Sequence, residues 1–402
     1  MQRLNYIDRL KGFAILTVVA GHVYLFGMDH SESIWQDVIG SFHMPLFMYM
    51  SGYLALTPPY KSVRGMRRKL LRLLCPLMFF GILFSLVISW PSSVAGVAEK
   101  IWAFLMAPAK NGYWYFMALA VFYMSLYLFR LNPLSSSMRH MHEQPLSADT
   151  PTHNAAVRLG LGELAVDITI AAVTWGLFLI GWKYTAQTND PLCLLNCGNF
   201  YPFFILGVFS RRYGLVGWLQ SHNWLYTLSL IGWPLLFFAD IPISLADSIV
   251  RHILMPFFAV AVFVTIFYKR EMSSSRVEDI LAYLGRHTLD IYAIHYFMLL
   301  MIRLSIDDRW LEDSGNLLLS IIFTMALSLV VALMSALVGA GITQKRYNKE
   351  ISTWWLTVMP VFVLPFVDAW GCQGYWVDYY HATLPVSYSC LVCFPRMLAY
   401  LI

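Results

Sequence analysis

Ten apolar runs, most of them long enough to cross a bilayer, recur along this chain. They lie near residues 12–28, 36–56, 71–90, 112–130, 161–182, 197–210, 223–243, 252–268, 280–302 and 317–343. Of the 402 residues 58% are hydrophobic and 13% charged, against about 25% charged in an ordinary soluble domain. Within lipid, helices satisfy every backbone polar group internally. The expected fold class is therefore all-α: a polytopic integral membrane helical bundle of about ten transmembrane helices, one bundle rather than several domains. The sixth run is short unless its helix reaches back to about residue 194. Residues 96–108 are too short and too charged to span and read as an interfacial or re-entrant helix.

The loop charges support this count independently. Lys61, Arg64, Arg67, Arg68, Lys69 and Arg72 follow the second run with no acid among them. Arg211 and Arg212 follow the sixth run, Lys269, Arg270 and Arg276 the eighth, and Lys345, Arg346 and Lys349 the tenth. Acids collect in alternate loops, with Asp29, Glu32 and Asp37 after the first run and Asp307, Asp308, Glu312 and Asp313 after the ninth. The positive-inside rule then predicts a cytoplasmic N-terminus. The net charge of +5 sits in these short loops and is no nucleic-acid signature. The first run carries His22 and is followed by no small-residue cleavage site, so it reads as a membrane helix rather than a signal peptide. Residues 132–158 are polar and rich in Ser, Pro and His, and read as a cytoplasmic loop. The chain divides into a transmembrane domain over 1–345 and a tail over 346–402, in which Pro360 and Pro365 interrupt an eleventh apolar stretch.

Lys11 and His22 stand eleven residues apart in IDRLKGFAILTVVAGH. On a helix this is close to three turns, so both fall on one face about 16 Å apart. Ionisable groups in a membrane segment are costly and mark function. Taken alone, a buried histidine is as readily a packing contact as a catalyst, but the lysine on the same face tilts His22 toward chemistry. A neutral imidazole there serves as general base toward a hydroxyl. His43 in FHMPLF, and Asp290 with His295 in GRHTLDIYAIHYF, are further membrane-segment polar groups that need a polar cavity.

The basic run Arg67-Arg68-Lys69-Leu-Leu-Arg72 opens the third segment. Topology and anionic-lipid contact explain most of it. The sharper reading is a phosphate-binding patch for a charged donor, with Arg72 the leading candidate one turn into the helix. Ser51-Gly52-Tyr53 lacks the GxSxG pattern and reads as a close-packing or pocket-lining turn. Tyr113-Trp114-Tyr115-Phe116 reads as an aromatic belt that can also stack on a sugar ring. The histidines lack local metal-ligand spacing, and the six cysteines, even with His381, match no zinc pattern, so no metal is expected.

These motifs resemble the membrane-bound acyltransferase-3 family. IDRLKGFAILTVVAGH resembles its opening, a basic residue, ten positions and a histidine. FHMPLFMYMSGYLA resembles its second-helix motif and RRKLLRLLCP its basic third-helix motif. YWYFMALAVFY, NFYPFFILGVFSRR and LGRHTLDIYAIHYF resemble its later blocks, in order, so that the likeness covers about residues 5–345. Lysine replaces the commoner arginine at position 11 and loses the bidentate fork.

The resemblance implies an integral inner-membrane O-acyltransferase that moves an acyl group, commonly acetyl from acetyl-CoA, onto a hydroxyl of a carbohydrate or lipid-linked glycan. Acyl-CoA is then a co-substrate, with no tightly bound cofactor; the partners are donor, glycan acceptor and membrane lipids. His22 carries the catalytic role, with His43 or His295 orienting it or lining the acceptor pocket. Lys11, Arg68, Lys69 and Arg72 hold the donor phosphates; Ser51, Trp114 and Asp290 line the acceptor pocket. An acyl-histidine intermediate is the alternative route. A transporter or flippase of a glycolipid or small molecule is the rival function, but leaves the Lys11–His22 pair and the ordered motifs unexplained.

Overall fold

The computed structural model describes residues 5–24, 34–55, 63–88, 93–130, 161–185, 189–239, 247, 249–271, 275–305 and 317–347. The predicted polar loop at 132–158 and nearly all of the tail over 346–402 lie outside the described residues. Among the described residues there is helix and no strand. The helices are α1 (Asn5–His22), α2 (Ile34–Gly40), α3 (His43–Ala55), α4 (Val63–Ile88), α5 (Val94–Met106) and α6 (Trp114–Arg130). They continue with α7 (Leu161–Thr185), α8 (Leu194–Tyr213), α9 (Leu215–Ser221), α10 (Asn223–Phe237) and α11 (Met255–Lys269). Last come α12 (Arg276–Arg286), α13 (Thr288–Ser305) and α14 (Leu317–Tyr347). Among the described residues four segments are long and apolar enough to cross a membrane: Val63–Val87, Leu164–Thr185, Val250–Lys269 and Leu318–Gly339.

Two runs expected to be continuous are broken. The second divides at Ser41–Phe42 into α2 and α3, where Ser41 Oγ donates to Val38 O at 2.7 Å and closes the last turn of α2. The ninth divides at His287, whose carbonyl accepts from Ile291 N at 2.9 Å and starts α13. The sixth run does reach back to Leu194, for a local reason. The Asp190 carboxylate accepts from Leu194 N at 2.7 Å and Leu195 N at 3.1 Å, satisfying two amides that a helix start leaves orphaned. Gly214, at φ +67°, ends the same helix by donating its N–H to Ser210 O.

The chain forms two compact units: residues 1–18 with 37–286, and residues 19–36 with 287–402. In the first, α3 and α8 cross at a pair of reciprocal glycines. A Cβ on Gly52 would overlap the Phe204 carbonyl, and one on Gly207 the Tyr49 carbonyl. The two backbones therefore touch, as small residues allow at membrane helix crossings. The early part of α1 meets α12 in the same way, Gly12 against the Leu281 carbonyl and Gly285 against the Asp8 carbonyl. The N-terminus of α1 is anchored by Glu271, which accepts from Asn5 N at 3.1 Å and Tyr6 N at 2.7 Å. Arg9, buried one turn later, donates to Arg270 O at 2.7 Å and pairs with Glu278 at 3.8 Å.

The second unit is built on α13 and α14, with the end of α1. A Cβ on Gly339 of α14 would overlap the Asp290 side chain of α13. The winding of α1 loosens to a π turn at Val23–Tyr24, directly after His22, a distortion often found at functional sites. Tyr24 is tied to Ser320 of α14 by a hydroxyl contact of 3.0 Å.

The glycine crossing makes a stability prediction. Gly52→Ala or Gly207→Ala should overpack the α3–α8 contact, at a cost of about 1–3 kcal/mol. Gly176→Ala in α7, where nothing lies within 4 Å of the added carbon, should leave stability unchanged or raise it slightly. Thermal unfolding of the three variants in detergent checks the contrast.

Candidate active site

His22 closes α1, and in the second unit it meets His295 of α13. The His22 Nδ1 lies 2.8 Å from His295 Nε2, with the rings stacked at 5.0 Å and 9°. His295 has no exposed surface. Its Nδ1 lies 3.0 Å from Ile291 O and 2.9 Å from Tyr292 O on its own helix.

These contacts determine the protons. A carbonyl oxygen only accepts, so His295 Nδ1 carries a hydrogen and, in the neutral ring, Nε2 is an acceptor. His22 Nδ1 must then be the donor of the 2.8 Å bond. What is left on His22 is Nε2 with a basic lone pair. The Tyr296 hydroxyl lies 3.4 Å from it, a long hydrogen bond that a better-placed hydroxyl can displace. A half-buried imidazole held in one tautomer by a fully buried one is arranged to take a proton at Nε2 and to be stabilised, once cationic, through Nδ1.

Asp290 belongs to the same unit but not to this pair. Five residues along a helix turn the side chain to a face about 140° away. Asp290 instead pairs with His287 at 3.2 Å in the first turn of α13, where a carboxylate also meets the positive helix end.

The other anticipated residues lie in the first unit. His43 Nδ1 donates to Ile39 O at 2.7 Å. It therefore adds a second bond to a carbonyl at the end of α2 that already accepts from Phe42 N at 3.2 Å. Ser51 Oγ donates to Phe47 O at 3.0 Å, so its 2.8 Å contact with Tyr115 is one it accepts. Trp114 is half-buried and stacks on Phe200 at 5.0 Å and 14°. Lys11 is half-buried on α1.

In α4 the buried positions Met66, Leu73, Leu77, Phe80 and Phe84 mark the inner stripe. Lys69 continues it, half-buried, with Nζ 3.7 Å from the Tyr123 ring centroid. Arg68 and Arg72 stand on the exposed face. The basic motif is thus split by helical period: Lys69 turned inward, and Arg67, Arg68 and Arg72 outward.

Sequence reasoning missed Tyr296, although it adjoins His295. It also took Arg211 for a topology charge. Of the described cysteines, Cys75 is exposed and Cys193 and Cys197 are buried thiols. Burial pushes Cys193 up to about 12, which keeps it protonated and inert. Among the described residues no three His, Cys, Asp or Glu side chains converge on a common point.

Residues 4–337 match the family model described as an acyltransferase domain. The chain belongs to the acyltransferase-3 family. It is accordingly an enzyme, an acyltransferase of the O-acetyltransferase-like kind carried on membrane helices, and the transporter reading falls away. No curated protein and no solved structure matches the chain.

The acyltransferase's histidine pair makes a spectroscopic prediction. In protein carrying isotope-labelled histidine, nitrogen NMR should find His22 protonated at Nδ1 and unprotonated at Nε2. His295→Ala should abolish that preference, whereas Tyr296→Phe should preserve it.

Proposed function

We propose that this acyltransferase transfers an acetyl group from acetyl-CoA to a hydroxyl of a cell-envelope carbohydrate or lipid-linked glycan. It acts in the inner membrane as a bundle of about ten spans with its N-terminus in the cytoplasm. The observation that carries the reading is the His22–His295 contact, in which His295 is committed through Nδ1 to backbone carbonyls.

His22 Nε2 takes the proton of the acceptor hydroxyl as its oxygen attacks the thioester carbonyl. The resulting imidazolium keeps its Nδ1 hydrogen bond to His295 Nε2, which stabilises the charge. Collapse of the tetrahedral intermediate breaks the carbon–sulfur bond, and the departing thiolate takes the proton back from His22 Nε2. The acceptor gains the acyl group and the donor leaves as the free thiol. Direct transfer of this kind needs no acyl-enzyme, because the base and the nucleophilic hydroxyl suffice.

The donor phosphates belong with Lys11, Arg68, Lys69 and Arg72. Lys11 and His22 share α1, an unbroken helix, and an extended pantetheine arm laid along it covers the roughly 16 Å between them. Trp114, stacked on Phe200, offers an aromatic face to a sugar, with Ser51 and Asp290 as further acceptor contacts.

The test is transfer of labelled acetyl from acetyl-CoA to envelope glycans by the protein in proteoliposomes. His22→Ala should reduce the rate about 10²–10⁴-fold, the usual worth of a general base. His295→Ala should reduce it roughly ten- to hundredfold, the loss of one hydrogen bond to a charged group. A folded His22→Ala protein with full activity would exclude this mechanism.

A further inference from the structure

At the end of the first unit where α1 and α4 begin and α3 and α8 finish, two cations sit on a cluster of phenols. Lys69 Nζ lies 3.7 Å above the Tyr123 ring and the Arg211 guanidinium 5.2 Å above that of Tyr53. Both cations are half-buried. Among the described residues neither has a carboxylate within ion-pair distance. Cation–π contact offsets only part of the loss of hydration.

The phenols are themselves ordered. Tyr6 O–H donates to the Tyr53 hydroxyl at 3.0 Å, and Arg211 is near enough for its charge to act on Tyr6. Tyr53 is 7% exposed and already accepts this bond, so its own hydroxyl hydrogen points elsewhere. Tyr123 O–H donates to Ser51 O at 3.5 Å, linking Lys69 to the same stretch of α3.

The neighbouring arginine shows that this is not a general property of the basic pair. Arg212 forms an ion pair with Asp167, and Tyr213 donates to the same carboxylate. One arginine of the twin is neutralised by the protein and the other is turned to the phenols.

Two cations and a phenolic donor, without a protein anion, suit a ligand with several anionic oxygens. Phosphate groups meet that description, and arginine binds them through its fork. We propose that Arg211, with the Tyr53 hydroxyl and Lys69, binds the phosphate groups of the acyl donor. This rests on the acyl-CoA reading above and adds to it a phosphate-binding arm on α8 and α3, outside the basic motif of α4. The same chemistry would hold the phosphate of an anionic lipid headgroup, so the test must separate the two.

The experiment is titration calorimetry of the full-length protein with coenzyme A, in neutral lipid-free detergent and in nanodiscs containing phosphatidylglycerol. Circular dichroism and thermal unfolding confirm each variant's fold. Arg211→Ala and Arg211→Gln should each weaken coenzyme A binding about tenfold, the loss of a hydrogen-bonded charge on phosphate. Tyr53→Phe, which removes a single hydroxyl, should weaken it a few-fold. Arg212→Lys should bind like the wild type.

Folded Arg211 variants that bind coenzyme A normally, while Lys11→Ala or Arg72→Ala bind it weakly, would overturn this inference and leave the donor reading standing. Failure of the wild type to bind coenzyme A in either medium would overturn both. If Arg211 variants lost co-purifying phosphatidylglycerol but kept coenzyme A affinity, the pocket would belong to a lipid headgroup and the inference would again fall.

Discussion

An imidazole with no contact to water must find a hydrogen-bond partner for each ring nitrogen, and His295 does so in the one way its helix permits. Its Nδ1 turns back onto the carbonyls of Ile291 and Tyr292, one turn earlier on α13. That leaves Nε2 as an acceptor, and the proton that reaches it is the one on His22 Nδ1. The tautomer of His22, and hence the nitrogen left with a lone pair, follows from the desolvation of its neighbour rather than from a charge. A carboxylate in the position of His295 would bind the imidazolium more strongly but would itself be expensive to bury. A neutral partner suits a site on membrane helices.

Rigid backbones make such contacts dependable. Gly52 and Gly207 let α3 and α8 touch, and Gly12 and Gly285 do the same for α1 and α12. Glu271 and Arg9 hold the first turns of α1. In membranes, where apolar packing differs little from solvation by lipid, close backbone approach and buried polar ties carry much of the specificity. In the second unit, Gly339 against Asp290 has the same effect for α13 and α14.

Helix content was readable in advance because it depends on local patterning. Helix occurs at each apolar run and at the short segment 94–106. The breaks at Ser41–Phe42 and His287 were not readable, because apolarity continues across them and what marks them is local bonding, Ser41 Oγ to Val38 O at one and the His287–Asp290 pair at the other. The Lys11–His22 register was legible, since eleven residues on any helix return to nearly the same face. The choice of Lys69 over Arg72 as the inward cation was legible in principle from the stripe through Met66, Leu73 and Leu77, had period been weighed above depth in the helix. Tyr296 and Arg211 were not singled out, because their meaning depends on neighbours far along the chain.

From the residues alone came a helical membrane chain, the family to which it belongs and the identity of its leading histidine. These are properties of composition, period and short motifs, which survive without knowledge of what packs against what. Only the tertiary structure decided that His295 meets His22, and that Arg212 pairs with Asp167 while Arg211 lies over the Tyr53 ring. Each of those outcomes is a contact between helices distant in sequence, where the low polarity of the surroundings makes one partner matter more than any local preference.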